Sequence, residues 1–66
     1  MFYEIYLFDA PYSLDRGFDY ESEMDIPVGS IVRVPFGRQN KERLGVVTKR
    51  LESSFDKQLK PVHAVL

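Results

Sequence analysis

The apolar residues of this chain occur in short alternating stretches, and this pattern limits the folds open to the chain more than any other feature. Residues 2–8 (FYEIYLF) and 31–36 (IVRVPF) are rich in β-branched and aromatic side chains and alternate with a period of two. In the first stretch the alternation places Tyr3, Ile5 and Leu7 on one face. Nowhere does a helical period persist for three turns, so the sequence predicts strands.

Turn residues divide the chain into its predicted strands. These strands cover residues 2–8, 18–20, 31–36, 44–51 and 60–66. Between them the sequence predicts a loop at 12–17, a hairpin loop at 37–43, and a loop or single helical turn at 52–58. Pro35 has no backbone N–H to donate and therefore marks a sheet edge or the end of its strand. The predicted fold class is all-β: a small OB-like or SH3-like barrel of four to five short antiparallel strands.

The length of 66 residues and the absence of cysteine limit what can hold such a barrel together. A chain of this size buries only about 60% of its unfolded surface, and neither a disulfide nor a thiolate zinc site can add stability. The first residues include Glu4 and Asp9 without a basic leader, and no apolar stretch is long enough to cross a bilayer. We therefore expect one soluble cytoplasmic domain, either efficiently packed or taken from a longer protein.

The sequence patterns typical of catalysis are absent. There is no glycine-rich phosphate loop, and the serines lack a context that would activate them as nucleophiles. His63 is the single histidine and lies in an alternating stretch, which favours a strand-face residue over a catalytic base. The sequence therefore predicts no catalytic residue, no metal site and no cofactor within this chain.

The charges are unevenly distributed along the chain, although the formal net charge is only −1. Residues 1–32 hold seven acidic residues and one basic residue, Arg16, whereas residues 33–50 hold six basic residues and one acidic residue, Glu42. Such asymmetry indicates a local anion-binding site. The structural alternative is a basic hairpin that keeps a sheet edge soluble.

Three predicted loop segments could converge at one end of the barrel: GFDY at 17–20, PFGRQ at 35–39 and LKPV at 59–62. Taken singly, each has a plain structural explanation. An aromatic residue can belong to the core, an aspartate can bond its own backbone, a glycine permits a tight turn, and a lysine can be solvated.

Taken together, the same loops contain the groups that a nucleotide pocket needs. Phe18 can stack on a base, Gly37 lets the backbone approach a sugar or phosphate, and Lys60 supplies a cation for phosphate. Asp19 repels phosphate, so its carboxylate fits only if it accepts a hydrogen bond from a base edge or a sugar hydroxyl. A carboxylate beside a terminal 3′-hydroxyl would also disfavour a further phosphate there. The set therefore suits the end of a strand better than its middle.

The series FDY, VGSIVRVPFG, RLGVV and LKPVHAVL resembles, in order and spacing, the start of the PriA family of primosomal replication-restart helicases. The resemblance implies the 3′-DNA-binding domain, a small β-barrel that captures the 3′ end of the nascent leading strand at a stalled fork. It assigns the DNA 3′-end pocket to Phe18, Asp19, Gly37 and Lys60. It also implies that residues 1–66 are an excised amino-terminal fragment of a longer helicase.

The resemblance carries further expectations about the parent protein. The parent would be an ATP-dependent 3′-to-5′ DNA helicase that uses ATP, Mg and Zn outside this fragment, in the bacterial cytoplasm and nucleoid. Expected partners are single-stranded DNA 3′ ends, replication forks, the parent's own helicase core, and other primosome and single-strand-binding proteins, with no membrane. To these we add that the basic loop, with Arg38, Lys41 and Arg43, contacts the DNA backbone.

Two other interpretations fit the same residues. Residues 28–47 also look like an SH3-type hairpin, and domains of that kind bind RNA or a protein tail. A third interpretation is a purely structural domain that docks on a helicase body and has no DNA affinity of its own. Asp19 has no role if the domain binds RNA or a protein tail, and only the end-capturing pocket should distinguish a free 3′-hydroxyl from a blocked one.

Overall fold

The computed structural model describes residues 1–8, 17–53 and 59–66. These residues form six strands: β1 (Phe2–Leu7), β2 (Phe18–Glu21), β3 (Ile31–Phe36), β4 (Lys41–Leu51), β5 (Lys60–Pro61) and β6 (Ala64–Val65). They make one curled sheet in the order β5-β2-β1-β4-β3-β6. The prediction of a small all-β barrel is confirmed. Two details differ: there are six strands instead of four to five, and β2 pairs with β5 in parallel.

The core lies on the face that the alternation predicted. Its fully or almost fully buried apolar side chains are Tyr3, Ile5, Tyr20, Ile26, Val32, Val34 and Val47, and the partly buried Leu7, Phe18 and Val62 pack against them. Adjacent strands supply every second residue to this face, as expected for a sheet with one side buried. The larger aromatic rings of the core therefore come from β1 and β2, and its valines from β3 and β4.

The long central strand β4 pairs with β1 on one side and β3 on the other, and Gly45 allows β1 to come close. A Cβ atom at this position would lie 2.8 Å from the carbonyl oxygen of Tyr6 and 2.7 Å from the Cγ2 of Ile5. The register of β1 against β4 also shifts between Glu4 and Ile5. Shifts of this kind increase the local twist and help a sheet to curl.

The carboxyl-terminal segment crosses from one edge of the sheet to the other, which divides the predicted strand 60–66 into β5 and β6. The N–H of Val62 donates to the carbonyl of Glu21 in β2 at 2.8 Å, and the N–H of the next residue, His63, donates to the carbonyl of Arg33 in β3 at 2.8 Å. Neighbouring residues thus bind opposite edges of the sheet. This segment draws the two edges together and places Lys60 beside β2.

The hairpin between β3 and β4 is shorter than predicted, because β4 begins at Lys41 and the turn contains only residues 37–40. Pro35 lies in the part of β3 that pairs with β4 alone, since β6 pairs only with Val32 and Arg33. The predicted loops at 12–17 and 52–58 fall mostly on residues 9–16 and 54–58, outside the described part of the chain. No helix among the described residues has the length and apolar character needed to span a bilayer.

Candidate nucleic-acid interface

Two aromatic rings meet where β2 begins and β3 ends. The ring centroids of Phe18 and Phe36 are 5.1 Å apart with an interplanar angle of 69°, an edge-to-face arrangement. Phe18 is half-buried and packs against the core, and Phe36 is half-buried as well. The predicted convergence of the loops that carry FDY and PFG is therefore observed as a direct contact.

Gly37 and Lys60 also contact each other. The Lys60 ammonium donates a hydrogen bond to the carbonyl of Gly37, with 2.6 Å between Nζ and O. Gly37 has φ of +79°, and nothing lies within 4 Å of a Cβ built on it. Glycine is therefore favoured here by backbone conformation and not by crowding. The N–H of Asn40 donates to the same carbonyl at 3.2 Å and closes the turn.

Tyr20 joins these two contacts, although the sequence analysis gave it no role. Its hydroxyl donates to the carbonyl of Pro35 at 2.8 Å, and in the β2–β5 ladder it is the register partner of Lys60. Burial raises the pKa of Tyr20 to about 12, because the phenolate would lose its hydration. A signal was present in the sequence: Tyr20 is two residues beyond Phe18, on the same inward face, and a buried tyrosine needs a partner for its hydroxyl.

Asp19 lies on the other face of β2. Its register partner in β1 is Glu4, whereas the neighbouring residues Phe18 and Tyr20 pair with the inward-facing Ile5 and Tyr3. Because successive side chains of a strand point to opposite faces, the Asp19 carboxylate does not share a face with Phe18. The structure thus brings Phe18, Gly37 and Lys60 to one end of the barrel and places Asp19 on the outer side of the same strand.

The three predicted DNA-backbone cations differ in their exposure to solvent. Arg38, in the turn, and Lys41, at the start of β4, are exposed, and neither makes an ion pair within the described residues. Arg43 is half-buried, and its register partner is the fully buried Val34. Its Nε atom is buried and has no hydrogen-bond partner among the described residues. Arg43 therefore lies on the inward face of β4, and Lys41, the register partner of Phe36, shares that face by alternation but is exposed.

The site is built from an aromatic pair, a glycine turn and a lysine, and no metal-binding group accompanies them. Within residues 1–8, 17–53 and 59–66, no three histidine, cysteine, aspartate or glutamate side chains come close enough to hold a metal ion. Aromatic faces next to cations at the rim of a small curled sheet are the features of an oligonucleotide-binding β-barrel. The fold and the site thus define the class as a nucleic-acid-binding barrel domain.

Comparison with known proteins identifies the family within that class. The family model for the 3′-DNA-binding domain of PriA matches residues 7–66, so the chain belongs to this family. The role of such a domain is to bind DNA, and it is not itself catalytic. A search of curated proteins gives no match to the chain.

Proposed function

We propose that the chain captures the 3′ end of single-stranded DNA, specifically the end of the nascent leading strand at a stalled replication fork. The observation that best supports this is the contact between Lys60 and Gly37 beside the Phe18–Phe36 pair. It brings a cation, an open backbone turn and aromatic surface together at one end of the sheet. The family match supports DNA as the ligand.

Phe18, Gly37 and Lys60 divide the recognition of the terminal nucleotide among them. Phe18 offers ring surface to a base, an interaction worth about 1–3 kcal/mol. The ammonium of Lys60 has three N–H donors, so it can keep its bond to Gly37 and still donate to a phosphate oxygen. Gly37 has no side chain above its turn, so the backbone is open to the sugar.

Asp19 supplies the preference for a free 3′-hydroxyl. Its position on the outer face of β2 requires the terminal nucleotide to lie across the start of this strand, with the base towards Phe18 and the sugar towards Asp19. The carboxylate then accepts a hydrogen bond from the 3′-hydroxyl and repels a 3′-phosphate. Because β5 pairs only with Tyr20 and Glu21, the start of β2 projects beyond the β5 ladder.

Arg38 and Lys41 neutralise the phosphates that lead away from the end. Both are exposed and make no ion pair in the described part of the chain, so neither has to break one in order to bind. Arg43 is the least accessible of the three. It would reach a phosphate only at the mouth of the barrel, where its Nε needs an acceptor.

The domain would act as the amino-terminal part of an ATP-dependent 3′-to-5′ helicase of the bacterial primosome. In that context it would hold the captured end next to the helicase core during replication restart. Other primosome proteins and single-strand-binding proteins would be further partners. ATP, Mg and Zn would be bound by the rest of the parent protein. This proposal is supported by the match of the chain to a domain that belongs to PriA.

Fluorescence anisotropy with one short single-stranded DNA, ending in either a 3′-hydroxyl or a 3′-phosphate, tests the proposal. We expect clear preference for the hydroxyl, and we expect Asp19→Asn to reduce that preference. Glu21→Gln is the matched control, because Glu21 lies on the same outer face of β2 but at its far end. Equal binding of both ends by the unchanged chain would indicate a barrel that binds the DNA backbone, and no binding would indicate a structural domain.

A further inference from the structure

β3 and β5 contact each other without a backbone ladder between them. We call this gap the seam. Two side chains link the end of β3 to the strands on the far side of the seam: the Tyr20 hydroxyl of β2 bonds to the Pro35 carbonyl, and the Lys60 ammonium of β5 bonds to the Gly37 carbonyl. Both donors come from one register pair of the β2–β5 ladder, and both acceptors belong to residues 35–37. Among the described residues, the hydrogen bonds that close this end of the sheet therefore come from side chains.

Of the two bonds across the seam, the one from Tyr20 is protected from solvent. Tyr20 is only 3% exposed, whereas the bond from Lys60 is open to water. With its pKa raised to about 12 by burial, the Tyr20 hydroxyl stays protonated and able to donate throughout the ordinary pH range. Lys60 can rotate towards a ligand, but Tyr20 has no such freedom inside the core.

The acceptor of the Tyr20 bond lies where its position can affect the positions of the Phe36 ring and the Gly37 turn. The Pro35 carbonyl immediately precedes Phe36, whose ring contacts Phe18, and one residue later comes the Gly37 turn. Only β4 pairs with this part of β3 in the described chain. In the described part of the chain, β2 reaches this segment through the Tyr20 hydroxyl bond and through the ring contact of Phe18 with Phe36.

We propose that Tyr20 is a positioning residue of the 3′-end site. Its hydroxyl fixes the segment 35–37 against β2 and so sets the separation between Phe18 on one side and Gly37 on the other. The inference rests on the proposed function, because the separation matters only if a terminal nucleotide is held there. Tyr20 itself is buried and does not touch the DNA.

Tyr20→Phe tests this role, with Tyr3→Phe as its matched control. The two residues are register partners on the inward face, and both hydroxyls bond to backbone groups. The Tyr3 hydroxyl, however, donates to the Met24 carbonyl at 2.8 Å and accepts from the Ile26 N–H at 2.9 Å, away from the seam. Affinity for DNA ending in a 3′-hydroxyl and in a 3′-phosphate is measured for each variant, together with its melting temperature.

We expect both variants to melt at lower temperatures but only Tyr20→Phe to change DNA binding. Its affinity should fall roughly tenfold and its preference for the 3′-hydroxyl should shrink, because a misplaced rim holds the end less closely. Tyr3→Phe should keep both. If Tyr20→Phe does not remain folded, the comparison is made in trimethylamine N-oxide, which favours the compact state.

The outcomes separate this inference from the proposed function. A folded Tyr20→Phe chain with unchanged affinity and unchanged end preference would overturn the positioning role and leave the proposed function standing. Equal losses of DNA binding in Tyr20→Phe and Tyr3→Phe would also overturn it, because the effect would then follow stability and not the seam. Absence of any end preference in the unchanged chain would overturn the proposed function itself.

Discussion

Two buried tyrosines lie side by side in this barrel, and each anchors a different end of it. Tyr3 in β1 and Tyr20 in β2 are register partners, and both rings belong to the core. The Tyr3 hydroxyl holds the loop after β2 through Met24 and Ile26, whereas the Tyr20 hydroxyl holds the end of β3 through Pro35. The same chemistry, a phenol bonded to the backbone, thus fixes both segments.

The two ends are both anchored by a tyrosine hydroxyl, but they differ in charge. Beside the loop held by Tyr3, Glu23 and Asp25 are exposed, and Asp25 pairs with Arg50 at 3.1 Å. Near the segment held by Tyr20 lie Lys60 and Arg38, and no carboxylate within the described residues pairs with either one. Such a difference favours anion binding at one end only. It follows that the buried anchors should contribute to stability at both ends, whereas the exposed cations should attract DNA at one end only.

The largest expected effect is on stability, and it should be greater at the Tyr3 end. Tyr3→Phe leaves two backbone groups without their partner, the buried Ile26 N–H and the part-buried Met24 carbonyl, while Tyr20→Phe leaves only the Pro35 carbonyl. At about 1–3 kcal/mol for each unsatisfied group, we expect losses of about 3 kcal/mol and about 1.5 kcal/mol in the free energy of unfolding. Urea denaturation measures both losses. A larger loss in Tyr20→Phe than in Tyr3→Phe would contradict this comparison of the two ends.

A smaller effect is expected from two glycines, one at each end. Gly37 and Gly29 have φ of +79° and +96°, and a Cβ on either would meet nothing within 4 Å. Replacement by alanine should therefore cost the strain of a positive φ alone, about 1 kcal/mol in unfolding free energy at each site. Only Gly37→Ala should also weaken DNA binding, since the added methyl group would stand on the open turn. Weaker binding in Gly29→Ala would show that the ends are coupled.

The strands and their inward faces were predictable because they depend on local alternation. The period of two predicts that every second residue of a strand faces the core. This holds for the buried residues Tyr3 and Ile5 in β1 and Val32 and Val34 in β3. The contacts of Phe18 with Phe36 and of Lys60 with Gly37 fit the predicted convergence of the loops. These pairs could be anticipated because the loops adjoin strand ends.

The closure of the barrel could not be predicted from the sequence, because it depends on contacts across the sheet and not on periodicity. KPVHAVL alternates well enough to predict one strand, yet Val62 and His63 bind opposite edges and split it. The role of Tyr20 was missed for the same reason, since its hydroxyl bonds to a residue fifteen positions away. Asp19 was assigned to the pocket from the convergence of the loops and from the family resemblance, and neither considers the face of β2 on which strand alternation places it.

The smallest expected effect is on the salt dependence of DNA binding, and it compares two exposed arginines. Arg38 lies in the turn just before β4, and Arg50 lies near the far end of that eleven-residue strand. The logarithm of the affinity falls linearly with the logarithm of the salt concentration, and removal of one phosphate contact should make this slope less steep by about 0.7 for single-stranded DNA. We expect Arg38→Gln to do so, measured by anisotropy at several salt concentrations. Arg50→Gln should leave the slope unchanged, because the charge of Arg50 is paired with Asp25. Arg50 is also at the end of β4 far from the site, and the protein, 27 × 25 × 21 Å in extent, is wider than the Debye length of about 10 Å in 0.1 M salt, so the charge of Arg50 is screened from the DNA. Equal changes in both variants would mean that the DNA responds to the net charge of the whole domain, and the contrast between the two ends would then lose its electrostatic basis.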